Sequence, residues 1–187
     1  MLLTHRLRAA HDAILVGIGT VLADDPRLTV RLIEGRNPQP VILDSHLRMP
    51  EEAVLLKENR HPWIATLEDS EHKKVAALEG AGARLLRMPG NGQGRVALPA
   101  LLQRLAEMGV RRLMVEGGAL TITSFLSQQL VNLIIITIAP VFVGGLNAID
   151  REFSSQSTSH PSFPRLDNLR SALLGSDLIV WGKPAHI

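Results

Sequence analysis

Short apolar runs alternate with amphipathic stretches along most of the chain. Runs rich in Val, Ile and Leu that are bounded by turn-forming residues predict β-strands. The predicted strands are 13–18, 40–44, 62–67, 83–88, 111–116 and the longer run 131–144. Segments 70–82 and 98–110 have apolar residues three and four positions apart and contain glycine near the end, so they predict helices with C-terminal caps. The alternation predicts an α/β fold with a mostly parallel sheet and helices on both faces.

The pattern changes after residue 130. Segments 165–174 and 176–184 follow the run 131–144 with no convincing helix between them. They predict antiparallel C-terminal strands added to one edge of the sheet. The polar segments 89–95 and 154–162 predict surface loops. Because no repeat or linker interrupts the chain, we expect a single domain over residues 1–187.

Composition narrows the classes of function. Hydrophobic residues make up 45% of the 187 residues, enough for one sizeable core, but aromatic residues make up only 3% and tyrosine is absent. Stacking surfaces for RNA need aromatic side chains, so we expect no nucleic-acid partner. The formal net charge is only +2. No long uncharged apolar run and no signal sequence is found, which favours a cytoplasmic protein without a membrane partner.

Metal chemistry is also disfavoured. The chain has no cysteine, which excludes disulfides, thiolate zinc sites, iron–sulfur clusters and a cysteine nucleophile. Its histidines are scattered without a metal-binding spacing. We therefore expect no metal site, and we predict that five of the histidines are solvated surface residues: His5, His46, His61, His72 and His160.

The segment "VEGGALTITSFL" (115–126) gives the strongest local signal. A buried strand ends near Glu116, two glycines follow, and the next residues have helical spacing. Glycines allow a ligand to approach the backbone, and the first amides of a helix suit a phosphate. Thr121, Thr123 and Ser124 could add hydroxyl donors. A tight strand-to-helix turn explains the same glycines, so the residues alone leave both interpretations open.

Two further segments place polar residues near predicted strand ends. In "VILDSHLR" (41–48), Ser45 and Arg48 could hold the 2′-phosphate of NADP, although a turn closed by Asp44 explains these residues without a ligand.

In "GTVLADDPRLTVR" (19–31), Pro26 forces Asp25 out of the helical region. A turn accounts for Asp24, Asp25 and Pro26, but it leaves Arg31 without a role.

These segments occur together, and in this order, in a known family. "LRAAHDAILVGIGTVLADDPRLTVR", "VILDSHLRMP", "RLMVEGGALTITSFL" and "APVFVGG" closely resemble the reductase domain of bacterial riboflavin biosynthesis, the C-terminal half of a bifunctional deaminase–reductase. The resemblance implies a fold similar to dihydrofolate reductase and a homodimer. It also implies NADPH-dependent reduction of 5-amino-6-(5-phosphoribosylamino)uracil to its ribitylamino product, with hydride delivered to C1′ of the ring-opened imine.

The resemblance also implies residue roles. It assigns substrate contacts to Leu28, Arg31 and Glu116, with Arg31 as a clamp for the 5-phosphate. Cofactor contacts are implied for Thr20, Asp24, Ser45, Gly118, Ala119, Leu120, Thr121, Ile122, Thr123 and Ser124. No catalytic acid or base is assigned.

The chain departs from the family pattern at its start. The family begins with a strand and a "SLDG"-like turn, whereas Met1 already falls in the helix that follows them, so we expect the N-terminal strand to be missing. The zinc-binding motifs of the deaminase are also absent, which leaves only the reductase step. Two alternatives stay open: an inactive NADP-binding or dimerisation module, and a related reductase for another pterin- or pyrimidine-like substrate.

Overall fold

The computed structural model describes residues 2–141 and 165–185. The chain divides into two compact units, Met1–Gly118 (unit 1) and Ala119–Ile187 (unit 2). Each unit contains a β-sheet of its own.

Unit 1 contains five strands and five helices among the residues that the structure describes. In chain order these are α1 (Leu2–Ala10), β1 (Ala13–Gly17), α2 (Ile18–Asp24), β2 (Gln39–Leu43), α3 (Val54–Lys57), β3 (Trp63–Leu67), α4 (His72–Gly80), β4 (Arg84–Met88), α5 (Leu98–Glu107) and β5 (Leu113–Val115). The strands form a parallel sheet in the order β4-β3-β2-β1-β5. The predicted α/β fold with a parallel sheet is confirmed.

The position of the core explains why the sequence of β1 does not alternate between apolar and polar residues. Every residue of β1 is buried, and Ile14 and Val16 belong to a cluster that includes Ile42 and Ile64 of the neighbouring strands. A strand buried on both faces needs apolar residues at successive positions, as the sequence of β1 has. Burying each large aliphatic side chain stabilises the fold by about 1.5–3 kcal/mol.

Glycine ends α4 and α5 as predicted. Gly82 and Gly109 adopt φ of +95° and +92°, a region open to glycine at little cost. The backbone N–H groups of Ala83 and Val110 donate to carbonyls five residues earlier, those of Leu78 and Leu105. These bonds close the helix ends in the manner of a Schellman motif.

Helix α2 was not predicted. The expected strand 13–18 ends at Gly17, and Ile18 starts a helix whose sequence, IGTVLAD, contains glycine and three β-branched residues. Such residues have low helix propensity. Packing overrides this weak preference, because Ile18 and Val21 are buried in the core of unit 1.

Unit 2 contains α6 (Ala119–Ser127), β6 (Ile134–Ile138), β7 (Leu166–Leu174) and β8 (Asp177–Pro184) in its described part. The three strands pair in the order β6-β8-β7, and both pairings are antiparallel. The predicted antiparallel strands are confirmed. They form their own sheet, however, and do not extend the edge of the parallel one. The predicted loop 154–162 and residues 142–144 of the predicted strand lie outside the described residues.

Candidate active site

The candidate site is built where strands of unit 1 end. In a parallel sheet the carboxyl ends of all strands meet at one edge, where α/β proteins bind ligands. Helix α2 follows β1 at this edge, Asp44 and Ser45 follow β2, and Glu116 follows β5. The backbone N–H of Glu116 still donates to the carbonyl of Leu15 at 2.9 Å, which fixes the end of β5 against β1.

Two glycines follow Glu116 in a conformation that other residues rarely adopt. Gly117 and Gly118 have φ of +72° and +78°. A side chain in this left-handed region costs about 1–2 kcal/mol, so the turn itself requires glycine. A Cβ on Gly117 would lie 3.4 Å from the Oγ1 atom of Thr20. Thr20 and the Gly117 backbone are thus packed together, which places the predicted cofactor residue Thr20 beside this turn.

The three predicted hydroxyl donors of α6 are either bonded within the helix or buried. The Ser124 hydroxyl donates to the carbonyl of Leu120 at 2.8 Å, and the side chains of Thr121 and Thr123 are buried. Backbone amides at the start of α6, and not these hydroxyls, are therefore the better candidates for holding a phosphate.

Glu116 is held by an arginine that the sequence reasoning missed. The Arg8 guanidinium donates to both carboxylate oxygens, at 3.0 Å from Nε and 2.6 Å from Nη2. Its Nη1 donates to the carbonyl of Thr29 at 3.1 Å. Such a bidentate pair has a fixed geometry. Arg8 joins α1, the end of β5 and the loop that leads to Arg31, which brings the predicted substrate residues Glu116 and Arg31 into one cluster.

The two adjacent aspartates of the loop have different environments. Asp25 has φ +39° and ψ +58°, outside the right-handed helical region as predicted from Pro26, and its Oδ1 accepts the backbone N–H of Val54 at 2.9 Å. It therefore caps the start of α3, a role that the sequence reasoning missed. The side chain of Asp24 is exposed. The side chain of Asp25 is exposed as well, but it is engaged with Val54, so Asp24 is the better candidate for a ligand contact.

The side chains of Leu28 and Arg31 differ in their exposure to solvent. Leu28 is only 2% exposed, belongs to the core cluster and has φ +52°, whereas the side chain of Arg31 is exposed. A strained backbone at a buried leucine is a feature that recurs at functional sites. Leu28 could contact a ligand through its backbone, and Arg31 through its guanidinium.

His5 contradicts the prediction of a solvated histidine. It is 3% exposed, and its Nδ1 accepts the backbone N–H of Arg31 at 3.1 Å. Burial, together with the Arg8 and Arg31 guanidinium groups, lowers the pKa of His5. His46 and His61 are exposed as predicted. The side chain of His72 and the whole of His160 lie outside the described part.

At the end of β2 the turn interpretation is confirmed. Asp44 is fully buried, and its Oδ2 accepts the backbone N–H of Met49 at 2.8 Å. The hydroxyl oxygen of Ser45 accepts the N–H of Val96 at 3.1 Å, which leaves the hydroxyl proton able to donate. Arg48 is exposed. The turn and a phosphate contact by Ser45 and Arg48 are therefore compatible.

Two further expectations concern metals and membranes. Among residues 2–141 and 165–185, no group of His, Asp and Glu side chains is arranged to hold a metal ion. No helix in this part of the chain has the length and apolar character needed to cross a bilayer.

The RibD C-terminal domain family matches residues 2–180. The chain belongs to this family. Within the RibD C-terminal domain family, the chain is 44% identical over 150 residues to an Archaeoglobus fulgidus protein, covering 75% of this chain and 67% of that one. It is 40% identical over 179 residues to a Methanothermobacter thermautotrophicus protein, covering 94% and 81%. Both relatives are named 2,5-diamino-6-ribosylamino-4(3H)-pyrimidinone 5′-phosphate reductase.

Solved structures agree with this family and with the dihydrofolate-reductase-like α/β fold. Acinetobacter baumannii RibD aligns with a TM-score of 0.78 and 25% identity, covering 97% of this chain and 49% of that one. The chain therefore spans about half the length of that RibD protein. Membership in the RibD C-terminal domain family, a reductase family, implies a nicotinamide cofactor. The left-handed Gly117–Gly118 turn fits such a group, because no Cβ blocks the approach of a diphosphate to the backbone.

Proposed function

We propose that this protein is an NADPH-dependent reductase in riboflavin biosynthesis that acts on a 5-phosphoribosylamino pyrimidine. The observation that carries the proposal is the cluster in which Arg8 holds Glu116 and the loop bearing the exposed Arg31. Two pyrimidines are candidates. The resemblance implies 5-amino-6-(5-phosphoribosylamino)uracil, and the names of the two relatives favour the 2,5-diamino-pyrimidinone analogue.

The proposed substrate contacts follow from charge and exposure. The Arg31 guanidinium is free to turn toward a 5-phosphate, and an arginine–phosphate contact is charge-assisted and can be bidentate. Glu116 would accept a hydrogen bond from the pyrimidine side, its position set by Arg8. Leu28 would contribute its backbone. The protein would act by aligning substrate and cofactor and by excluding water, with no acid or base assigned.

The proposed NADPH contacts lie around the carboxyl ends of β1, β2 and β5. Thr20, Asp24 and Ser45 would contact the cofactor, and residues 118–124 would hold its diphosphate through backbone amides. Arg48 and Ser45 would favour the 2′-phosphate that distinguishes NADPH from NADH. When bound, the cofactor supplies a hydride to C1′ of the substrate.

The first experiment measures NADPH binding by fluorescence and then NADPH oxidation with each of the two pyrimidines. Turnover of either supports the proposal, and the ratio of the two kcat/KM values identifies the preferred ring. Tight NADPH binding without turnover of either pyrimidine would favour the inactive module. Turnover of an unphosphorylated pterin or pyrimidine alone would favour the related reductase.

A second experiment tests the phosphate contact. Arg31→Ala should raise KM about 10- to 100-fold, since hydrogen bonds to charged groups contribute about 1.5–3 kcal/mol. Activity on the dephosphorylated substrate should change little. The matched control is Arg36→Ala, another exposed arginine of the same segment. An equal loss with both substrates would exclude Arg31 as the phosphate ligand.

We further propose that the protein is a homodimer formed through the sheet of unit 2. Ile138 and Leu173 are both paired with Leu178, and Ile136 is paired with Val180. Paired positions project from the same face of a sheet. Leu173 is 75% exposed and Ile138 is 50% exposed. These five side chains form an uncharged apolar patch, which suits the same patch of a second copy related by a two-fold axis.

The dimer is tested by light scattering after gel filtration. Leu173→Glu should convert a dimer to a monomer, whereas Leu32→Glu, at a 49% exposed leucine of unit 1, should not. A wild-type monomer, or a dimer that survives Leu173→Glu, would contradict the proposed interface.

We also propose a domain organisation and a cellular location for the protein. The family match covers residues 2–180 and so runs through both units, which supports one reductase domain over the given residues 1–187. NADPH and a phosphorylated biosynthetic substrate would be met in the cytoplasm. Fractionation of cells that make the protein would test this location.

A further inference from the structure

The backbone that carries Arg31 is held by side chains. Three successive residues each use a backbone group to bond to a side chain: the Thr29 carbonyl accepts from Arg8, the Val30 N–H donates to Asn37 Oδ1 at 2.7 Å, and the Arg31 N–H donates to His5 Nδ1. Within the described residues, no backbone–backbone hydrogen bond is found for residues 26–38. The conformation of this loop therefore depends on those side chains.

Of these three side chains, His5 is the one that bonds to the backbone of Arg31 itself, the predicted phosphate ligand. An imidazole nitrogen that accepts a hydrogen bond carries no proton, so His5 is neutral with its proton on Nε2. Protonation of Nδ1 would replace an acceptor by a donor facing the Arg31 N–H. Burial of the ring and the neighbouring Arg8 and Arg31 guanidinium groups lower the pKa of His5 and so favour the neutral form.

We propose that His5 is a positioning residue, which fixes the Arg31 peptide and thereby the direction in which the Arg31 guanidinium meets the phosphate group of the substrate. This inference rests on the proposed function, in which Arg31 binds that phosphate. Without His5, the Arg31 N–H would bond to water, and the loop would have to be ordered when the substrate binds. The cost of that ordering weakens binding of the phosphorylated ligand.

Two substitutions of His5 separate the acceptor from the bulk of the ring. His5→Leu removes the acceptor from a buried position. His5→Asn places an amide oxygen near the position of Nδ1 and keeps the acceptor. His5→Leu should raise KM for the phosphorylated substrate about tenfold with little change in kcat, and His5→Asn should restore most of the loss. NADPH affinity and KM for the dephosphorylated substrate should stay unchanged in both variants.

Asn37→Ala provides a variant that avoids the core, because Asn37 is exposed and holds the neighbouring peptide of Val30. It should raise KM for the phosphorylated substrate in the same selective way, by a smaller factor. If His5→Leu does not fold, this variant and His5→Asn still test whether the side-chain contacts set the affinity for phosphate.

Calorimetric binding of ribose 5-phosphate separates this inference from the proposed function, because it needs no turnover. If the wild type turns over neither pyrimidine, the proposed reaction fails, yet weaker binding of ribose 5-phosphate by His5→Leu and its recovery in His5→Asn would still support the positioning role. Equal binding by the wild type and His5→Leu, no binding by the wild type, or a parallel loss of NADPH affinity would overturn it.

Discussion

The two sheets use similar aliphatic residues for different purposes. In unit 1 all five residues of β1 are buried, so the strand contributes both of its faces to the core. In unit 2, eight of the nine residues of β7 are exposed, including Leu169 and Leu173 at 61% and 75%. The parallel sheet is thus stabilised within its own unit, whereas the antiparallel sheet presents apolar surface. Hydrophobic side chains identify both regions as strands, but only burial tells which of them stabilises the fold.

The largest expected effect comes from truncating matched aliphatic residues in the two sheets. Ile14→Ala in β1 should lower the free energy of unfolding by about 2–5 kcal/mol, because it opens a cavity in a fully buried cluster. Leu173→Ala in β7 should change it by less than about 0.5 kcal/mol, since a surface side chain loses little packing. Denaturant titration of both variants, at a concentration where the wild type is monomeric, gives the difference. Equal losses of unfolding free energy in the two variants would contradict the difference between the sheets.

The strands of unit 1 were predictable because their signal is local. Runs such as 40–44 and 62–67 place apolar residues in succession between turn formers, and β2 and β3 match them within one residue at each end. Helices α2 and α3 were not predictable in this way. Ile18 and Val21 define α2 only once the core exists, and α3 depends on a cap from Asp25, which is 29 positions away.

A smaller effect is expected where a glycine of unit 2 lies against backbone. A Cβ on Gly182 would come within 2.8 Å of the Asp167 carbonyl oxygen and 3.2 Å of the Leu166 Cβ. Gly182→Ala should therefore destabilise the pairing of β7 with β8 by about 1–3 kcal/mol. Hydrogen exchange should increase in these two strands and not in β1. The control is Gly80→Ala in α4, where a Cβ meets nothing within 4 Å. Faster exchange in β1 would mean that the two sheets unfold together.

Substitution of a glycine in the turn at the end of unit 1 should distinguish the cost of backbone strain from an effect on ligand binding. Gly117→Ala places a side chain at φ +72°, and Gly92→Ala does the same at +81° in a loop where a Cβ meets nothing within 4 Å. Each should lower the free energy of unfolding by about 1–2 kcal/mol. Only Gly117→Ala should also weaken NADPH binding measured by fluorescence. An unchanged affinity in that variant would leave the tight turn as the sole reason for the two glycines.

The candidate site was predictable where a motif marks it and not where distant residues meet. "VEGG" and "ADDP" mark the end of β5 and the loop after α2, but nothing near His5 or Arg8 in sequence indicates that they bond to Thr29, Arg31 and Glu116. The pattern around this isolated histidine predicts a solvated side chain, because a sequence pattern reports only the neighbours along the chain. Its burial comes from contacts with a loop 26 positions away.

The adjacent aspartates offer a finer test within unit 1. Asp25→Ala removes the cap of α3 and should lower the free energy of unfolding by about 1 kcal/mol, with NADPH affinity preserved. Asp24→Ala should do the reverse, leaving stability unchanged and weakening NADPH binding. Thermal unfolding and fluorescence titration of the two variants provide the comparison. The same change in both would show that the aspartates do not divide the roles of cap and ligand.

The smallest expected effect concerns Asp12, which ties β5 to the start of β1. Its Oδ2 accepts the backbone N–H groups of Arg111 and Arg112 at 2.9 and 2.8 Å, and these bonds lower the pKa of Asp12 below its ordinary value of 3.8. A carboxyl group whose pKa is lower in the folded state stabilises the fold above the pKa of the unfolded chain. The stabilisation should therefore be complete at neutral pH and should disappear as the pH falls below about 4. Thermal unfolding of the wild type and Asp12→Asn between neutral pH and pH 3 measures it. Because Asp12 is fully exposed, the difference should be small and should shrink on acidification, and a difference that stays constant with pH would assign it to the lost geometry of the bond instead of the charge.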